Sequence, residues 1–221
     1  MHTTSPRHDR HDPAPHVVPN HHAGQGSFGG VAGLATGLTM AFGRSGEAHW
    51  AIELTGAGPA DRIVDIGCGP GAAVRHATRA GLTVTGVDPS PEMLRLARRL
   101  THGIAVSYLD GAAEALPLAD EAATVAWSIA SVHHWSDVVA GLREVHRVLA
   151  PGGRFAAIER RTTPDATGLA GHGWTDAQAA EFARLCQEHG FVDTRVEHHR
   201  VGRRRRLIGV MASTPAAATR R

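Results

Sequence analysis

From Val64 to Val74 the chain reads VDIGCGPGAAV, in which Asp65 closes an apolar run and Gly67, Gly69 and Gly71 follow at alternate positions. Residues without a Cβ let the backbone bend sharply and let a ligand lie against the main chain. A helix that starts behind them offers unpaired N–H groups to a negative end. Asp88 ends a second apolar run, LTVTGVD, 23 residues after Asp65. That is the place where dinucleotide-type folds set an acid to grip ribose hydroxyls. Together the two stretches point to a ribose-bearing cofactor. A third stretch, SIASVHHWSD, holds His133, His134 and Trp135. Imidazoles titrate near neutrality, so these residues are candidates for shaping or deprotonating a substrate.

The elements that must hold these residues follow from periodicity. RIVDIG reads as a buried strand, AAVRHATRAG as a helix and LTVTGVD as a second strand. SPEMLRLARRL opens with Ser90 as N-cap and Pro91 at the first helical position. Met93, Leu96, Ala97 and Leu100 then recur on one helical face. IAVSYLD is a third strand and TVAWSIASV a fourth. SDVVAGLREVHRVLA is a helix capped by Ser136 and closed by Pro151, Gly152 and Gly153, and RFAAIE is the fifth strand. Thr175 and Gln178 form a capping box for a helix reaching Glu188, and FVDTRVEHHR and RRLIGVMAS make a closing hairpin. Alternation of strand and helix predicts an α/β fold, doubly wound, whose mostly parallel seven-stranded sheet ends in an antiparallel hairpin. Ligands of such sheets sit at the carboxyl ends of the strands, where the order reverses.

Composition bounds the rest. The 221 residues suffice for one well-cored domain, and the net charge of +2 gives no reason to expect a membrane or nucleic acid as partner. No lysine is present, which excludes Schiff-base chemistry. Cys68 and Cys186 are too few and too far apart for a disulfide framework or a zinc cluster, and a cytoplasmic setting is expected. Residues 1–26 carry six histidines without ligand-like spacing and read as a disordered tail; no metal is expected. Residues 27–59 read as a helical cap, 60–213 as the main domain and 214–221 as a tail. Arg203 to Arg206 form the charge run, read as a solvated hairpin turn rather than a phosphate contact.

The glycine order is G-x-G-x-G rather than the nicotinamide fingerprint G-x-G-x-x-G, and position 72 is alanine. With VDIGCGPG, VDPSPEML, GAAEALPLAD and LREVHRVLAPGGRF in this order, residues 44 to 200 resemble the class I S-adenosylmethionine-dependent methyltransferases, in particular small-molecule methylases similar to the quinone-biosynthesis enzymes. The resemblance implies S-adenosyl-L-methionine as cofactor. It also implies that Gly67, Gly69 and Gly71 touch its methionine and ribose part, with Cys68 in the same loop. Asp65 would reach the amino group, Asp88 the ribose hydroxyls with Pro89 beside it, and Met93 the adenine face. Gly111, Ala112 and Ala113 would face the adenine edge, Ser128 would line the fourth strand, and Arg44 would bind the methionine carboxylate.

Two departures stand out. Ala112 replaces an Asp common in the family, with Asp110 as the substitute if the strand continues, and Thr124 replaces another Asp. The resemblance implies a methyltransferase acting on a small-molecule acceptor, with His133 and His134 as the candidate catalytic pair. The HHW triplet also admits a helix-entry or cofactor-lining role. Glu159, at the end of the fifth strand, and His172, in the loop behind it, are weaker candidates that read as ordinary loop polar groups. A non-catalytic cofactor-binding sensor or partner subunit is the alternative, and a nucleotide-dependent oxidoreductase a third.

Overall fold

The computed structural model describes residues 18–21, 45–103, 106–203 and 205–217. Its order is α1 (Ser45–Thr55), β1 (Arg62–Ile66), α2 (Ala72–Arg79), β2 (Thr83–Asp88), α3 (Pro91–Leu100), β3 (Ser107–Asp110) and β4 (Ala123–Ile129). A 3₁₀ turn (Val132–His134) then leads to α4 (Val138–Val148), β5 (Leu149–Arg160), α5 (Asp176–Glu188), β6 (Val192–Val201) and β7 (Arg205–Ser213). One seven-stranded sheet runs β3-β2-β1-β4-β5-β7-β6. The first five strands pair parallel, and β7 enters antiparallel between β5 and β6. This is the doubly wound, mostly parallel seven-stranded sheet with a closing antiparallel hairpin that the alternation of elements predicts.

Burial on both sheet faces explains why the central strands are continuous apolar runs rather than alternating ones. Val138, Leu142 and Val145 of α4 and Phe182 and Cys186 of α5 cover one face together with Phe155 and Ala157. Trp50 of α1, Val74 of α2 and Leu94 of α3 cover the other with Ala156 and Ile158. The α1 helix docks on the antiparallel end: Trp50 stacks on His199 at 5.0 Å, and Arg205 pairs with the buried Glu47 at 2.9 Å.

Several expectations are corrected locally. The N-cap of α4 is Asp137, not Ser136, since the Asp137 carboxylate accepts from Val139 and Ala140 N–H groups, while the Ser136 N–H is taken by Glu114. That helix ends before Pro151 because Leu149 already pairs with Ala123, so β5 starts five residues earlier than RFAAIE suggests, with a register shift between. Conversely β4 stops at Ile129. Ala130 is left-handed (φ 51°), and its N–H bonds Ile158 O at 2.7 Å, which turns the chain off the sheet. Within the stretch expected as a tail, residues 18–21 lie against the domain. Trp174 Nε1 donates to Pro19 O (2.8 Å), Gln178 Nε2 to Val18 O (3.1 Å) and Asn20 Nδ2 to Trp135 O (3.0 Å). The apolar segment 27–42 and Arg44 lie outside the described residues.

Candidate active site

The sheet order reverses between β1 and β4, and both the glycine loop and the histidine stretch leave the carboxyl ends of those strands. All three loop glycines are left-handed, with φ of 72°, 52° and 72°. What lies beside them differs. A Cβ on Gly67 would stand 1.9 Å from Ser131 Oγ, and one on Gly71 would stand 2.2 Å from the Tyr108 hydroxyl, whereas one on Gly69 would meet nothing within 4 Å. Gly67 and Gly71 are therefore glycine for packing as well as for conformation. Gly69 is glycine beside open space.

Asp88 is tied to this loop. Its Oδ2 accepts from Gly69 N–H (2.8 Å) and its Oδ1 from Ser90 N–H (2.9 Å). Burial pushes its pKa above the usual 3.8, helped by the Asp110 charge, although the two N–H donors pull it down. A carboxylate offers about four lone-pair sites, so two such bonds leave acceptor capacity for a bound ligand. Next to it Met93 is buried at the start of α3, and Gly111 N–H reaches Asp88 O at 3.3 Å, which brings the GAAEALPLAD loop to the end of β2. Asp110 is exposed opposite Asp88 in the register, Ala112 is half-buried and Ala113 is buried. Asp65 is buried at the end of β1. Cys68 is buried as well, and desolvation, with the charges of Asp65 and Asp88, pushes its thiol well above the ordinary value, which rules it out as a nucleophile. Pro89 lies at the rim between Asp88 and the cap of α3. Ser128 is fully enclosed in β4, and its Oγ has no hydrogen-bond partner among the described residues.

The histidine stretch follows the left-handed Ala130. His133 is buried, and its Nδ1 lies 2.8 Å from Oε2 of Glu159, which is also buried, at the end of β5. The His133 N–H adds a longer bond to Glu159 Oε1 at 3.4 Å. With a carboxylate as partner, Nδ1 is the donating nitrogen. The ring of His134 packs 4.1 Å from that of His133, and His172 stands 5.6 Å and 5.7 Å from the two. His21 stacks at 6.1 Å over His133, with its own nitrogens set against Gly171 O and Gln178 Nε2. Trp135 faces away, buried against Gly141 and Phe182.

Comparison with known proteins now bears on this arrangement. Residues 64–157 match the family model of a methyltransferase domain, Methyltransf_11. Over 94 residues the chain is 42% identical to malonyl-[acyl-carrier protein] O-methyltransferase of Pseudescherichia vulneris, a span of 42% of this chain and 37% of that one. The chain carries a class I S-adenosylmethionine-dependent methyltransferase domain. A demethylmenaquinone methyltransferase of Chlorobaculum parvum is 39% identical over 99 residues (44% of this chain, 40% of that one). The 27-O-demethylrifamycin SV methyltransferase of Amycolatopsis mediterranei is 35% identical over 116 residues (49% and 42%). The chain spans less than half the length of these curated relatives. In fold, the methyltransferase domain is similar to the putative methyltransferase solved with Haloferax volcanii Trm112, with a TM-score of 0.68 at 20% identity over 82% of this chain and 94% of that one. It is also similar in fold to the [4+2]-cyclase SpnF, with a TM-score of 0.64 at 20% identity over 78% and 81% of the two chains. The second likeness shows that this fold alone does not decide the reaction.

S-adenosylmethionine is the cofactor of this family, and the residues of the methyltransferase domain fit it. Gly69 presents a side-chain-free, left-handed bend that a Cβ would fill, within one hydrogen bond of an acid with spare acceptor sites. The structure thus brings together Gly69, Asp88, Met93 and the Gly111 segment on one side, and His133 and His134 on the other. Glu159 and His172, which the sequence offers only as weaker candidates read as ordinary loop polar groups, stand at the rim beside His133. The signal for Glu159 is its place at the end of a central strand, where open α/β sheets carry their sites, and for His172 its place in the loop that follows that strand. No helix among the described residues is long and apolar enough to cross a membrane.

Proposed function

We propose that this chain is an S-adenosylmethionine-dependent methyltransferase acting on a small-molecule acceptor presented at the histidine rim. The observation that carries the reading is the open left-handed Gly69 with Asp88 bonded to its N–H. When bound, the cofactor supplies an already activated methyl group, so the protein must mainly hold two reactants in line and exclude water. Orientation of that kind can supply about 7–11 kcal/mol of the barrier.

Each residue then has a task. Asp88 accepts from the ribose hydroxyls, and the Gly67 to Gly71 bend, with Cys68 and Pro89 at its edges, carries the sugar and methionine part. Asp65 serves the amino group, while Met93 and the backbone of Gly111, Ala112 and Ala113, with Asp110 behind them, frame the adenine. Arg44 is assigned to the methionine carboxylate, and Ser128 backs the site from within β4. His133, held by Glu159, and His134 form the wall that meets the acceptor. The relatives' names span unlike acceptors, and residues 64–157, which match the family model, carry the cofactor loop and the histidine stretch but not the loop after β5. Acceptor choice therefore belongs to the parts of the chain that differ.

Incubating the purified chain with methyl-labelled cofactor and a cell extract tests the reading. Label should pass into the low-molecular-weight fraction. Tight cofactor binding with no transfer to any fraction would replace the enzyme with a sensor or partner subunit.

A further inference from the structure

We propose that His133, His134 and His172 form a site for one divalent transition-metal ion of the zinc class, with Glu159 as its outer partner. One nitrogen from each of the three rings lies within 4.8 Å of the others. Zinc–nitrogen bonds of about 2.0–2.1 Å at tetrahedral angles put ligand nitrogens about 3.3 Å apart. Closing the difference asks for small rotations of His134 and His172, both only half-buried. His133, the buried member, is already oriented.

That orientation is the second observation. A metal-ligating imidazole characteristically donates its other ring N–H to a carboxylate, which fixes the ring and strengthens it as a donor. His133 Nδ1 donates in this way to Glu159 at 2.8 Å, with both groups buried. The support is rigid: Glu159 ends a central strand, and His133 sits in a 3₁₀ turn launched from the left-handed Ala130. A donor set of imidazoles alone suits zinc and its neighbours rather than magnesium or calcium.

Three protein ligands leave a fourth position open. The cluster borders the glycine loop through Ser131, whose side chain abuts Gly67. An acceptor oxygen at the open position would lose its proton to water more readily, because the ion stabilises the anion. The oxygen would then form its bond to the methyl carbon as the carbon–sulfur bond breaks. This last part rests on the methyltransferase reading; the ion site does not.

The test uses the full chain, stripped with EDTA and titrated with Zn²⁺ against a chromophoric chelator. So that any uptake by the N-terminal histidines is common to both proteins, the comparison is with His172→Ala, which leaves them intact. We expect one zinc per chain whose affinity falls about 100-fold or more in His172→Ala and about 10–100-fold in Glu159→Gln. Circular dichroism checks folding, and His134→Ala replaces His172→Ala should that variant not fold. Equal zinc affinity in the wild type and these variants overturns the proposal. S-adenosylhomocysteine is titrated separately into the metal-free chain. Cofactor binding without the zinc site removes only the ion, and a zinc site without cofactor binding removes only the methyltransferase reading.

Discussion

Alanine at Gly69 and alanine at Gly67 should fail in different ways, although both positions are left-handed (φ 52° and 72°). Placing an L side chain in that region costs about 1–2 kcal/mol. Stiffening the unfolded chain returns about 0.4–1 kcal/mol. For Gly69→Ala nothing else is lost, since its Cβ enters space free of atoms for 4 Å. The net is about 1 kcal/mol, or roughly 2–4 °C in Tm for a chain of this size. For Gly67→Ala the Cβ stands 1.9 Å from Ser131 Oγ and 2.6 Å from Ser131 Cβ. Ser131 cannot retreat easily, because the preceding Ala130 is pinned to Ile158 O at 2.7 Å. Overpacking of this kind adds about 1–3 kcal/mol, so Gly67→Ala should lose about 2–4 kcal/mol in all. Binding should reverse the ranking in folded protein. The new methyl at position 69 occupies the surface assigned to the sugar, and S-adenosylhomocysteine affinity should fall about tenfold or more, which is about 1.4 kcal/mol. Thermal unfolding and isothermal titration calorimetry read the two quantities. Undiminished affinity in Gly69→Ala would refute the cradle, and equal stability of the two variants would refute the packing argument.

Asp88→Asn should weaken S-adenosylhomocysteine binding, since the amide keeps one acceptor oxygen while Gly69 and Ser90 N–H groups already claim both carboxylate oxygens; calorimetry would show it. Because burial first of all raises the Asp88 pKa above 3.8, and only the ionised form accepts from two hydroxyls, affinity should fall on acidification at a higher pH than an ordinary aspartate would dictate. For stability the sign is opposite. A folded-state pKa above the unfolded one means that this group favours the fold as pH drops through the raised value. Titrations at stepped pH, with Asp88→Asn as the flat control, check both. At the far end of the sheet, Asp61 is desolvated yet its pKa is lowered, by hydrogen bonds from Gly58 N–H, Thr124 and Arg154. Arg154→Ala, which removes the 2.5 Å contact to Asp61, should cost about 1 kcal/mol near neutral pH. The cost should fade as pH falls through the depressed Asp61 value, and unfolding curves at two pH values would reveal it.

The core of the sheet was readable because its residues report their own environment. Continuous apolar runs can be strands buried on both faces, and Ser90 with Pro91 announces a helix start that the structure reproduces, with Ser90 Oγ accepting from Met93 N–H at 3.3 Å. The Thr175 and Gln178 box holds for the same reason: both halves of the bond pattern lie within one turn. Errors fell where the deciding partner is remote in sequence. Ser136 looks as good a cap as Asp137, but the helix starts one residue later, with Glu114, 22 residues before Ser136, holding the N–H groups of both and the Asp137 carboxylate accepting from Val139 and Ala140. Nothing local marks Leu149 as a strand residue, since the cause is Ala123 in the neighbouring strand. The site divides along the same line. The cofactor side is built from one loop and the strand end next to it, so spacing exposes it, whereas the acceptor side joins His133 to Glu159 across 26 residues and to a loop histidine beyond. An alanine held at φ 51° between them is the clearest structural trace of that junction. A non-glycine residue in the left-handed region costs of order 1–3 kcal/mol, a cost sustained here at the one point that sets the histidines against Glu159. Glu121 (φ 56°) and Asp193 (φ 52°) are left-handed elsewhere in the fold, so it is the position of Ala130, directly before the histidine turn and bonded to Ile158 O, and not strain as such, that ties it to the site.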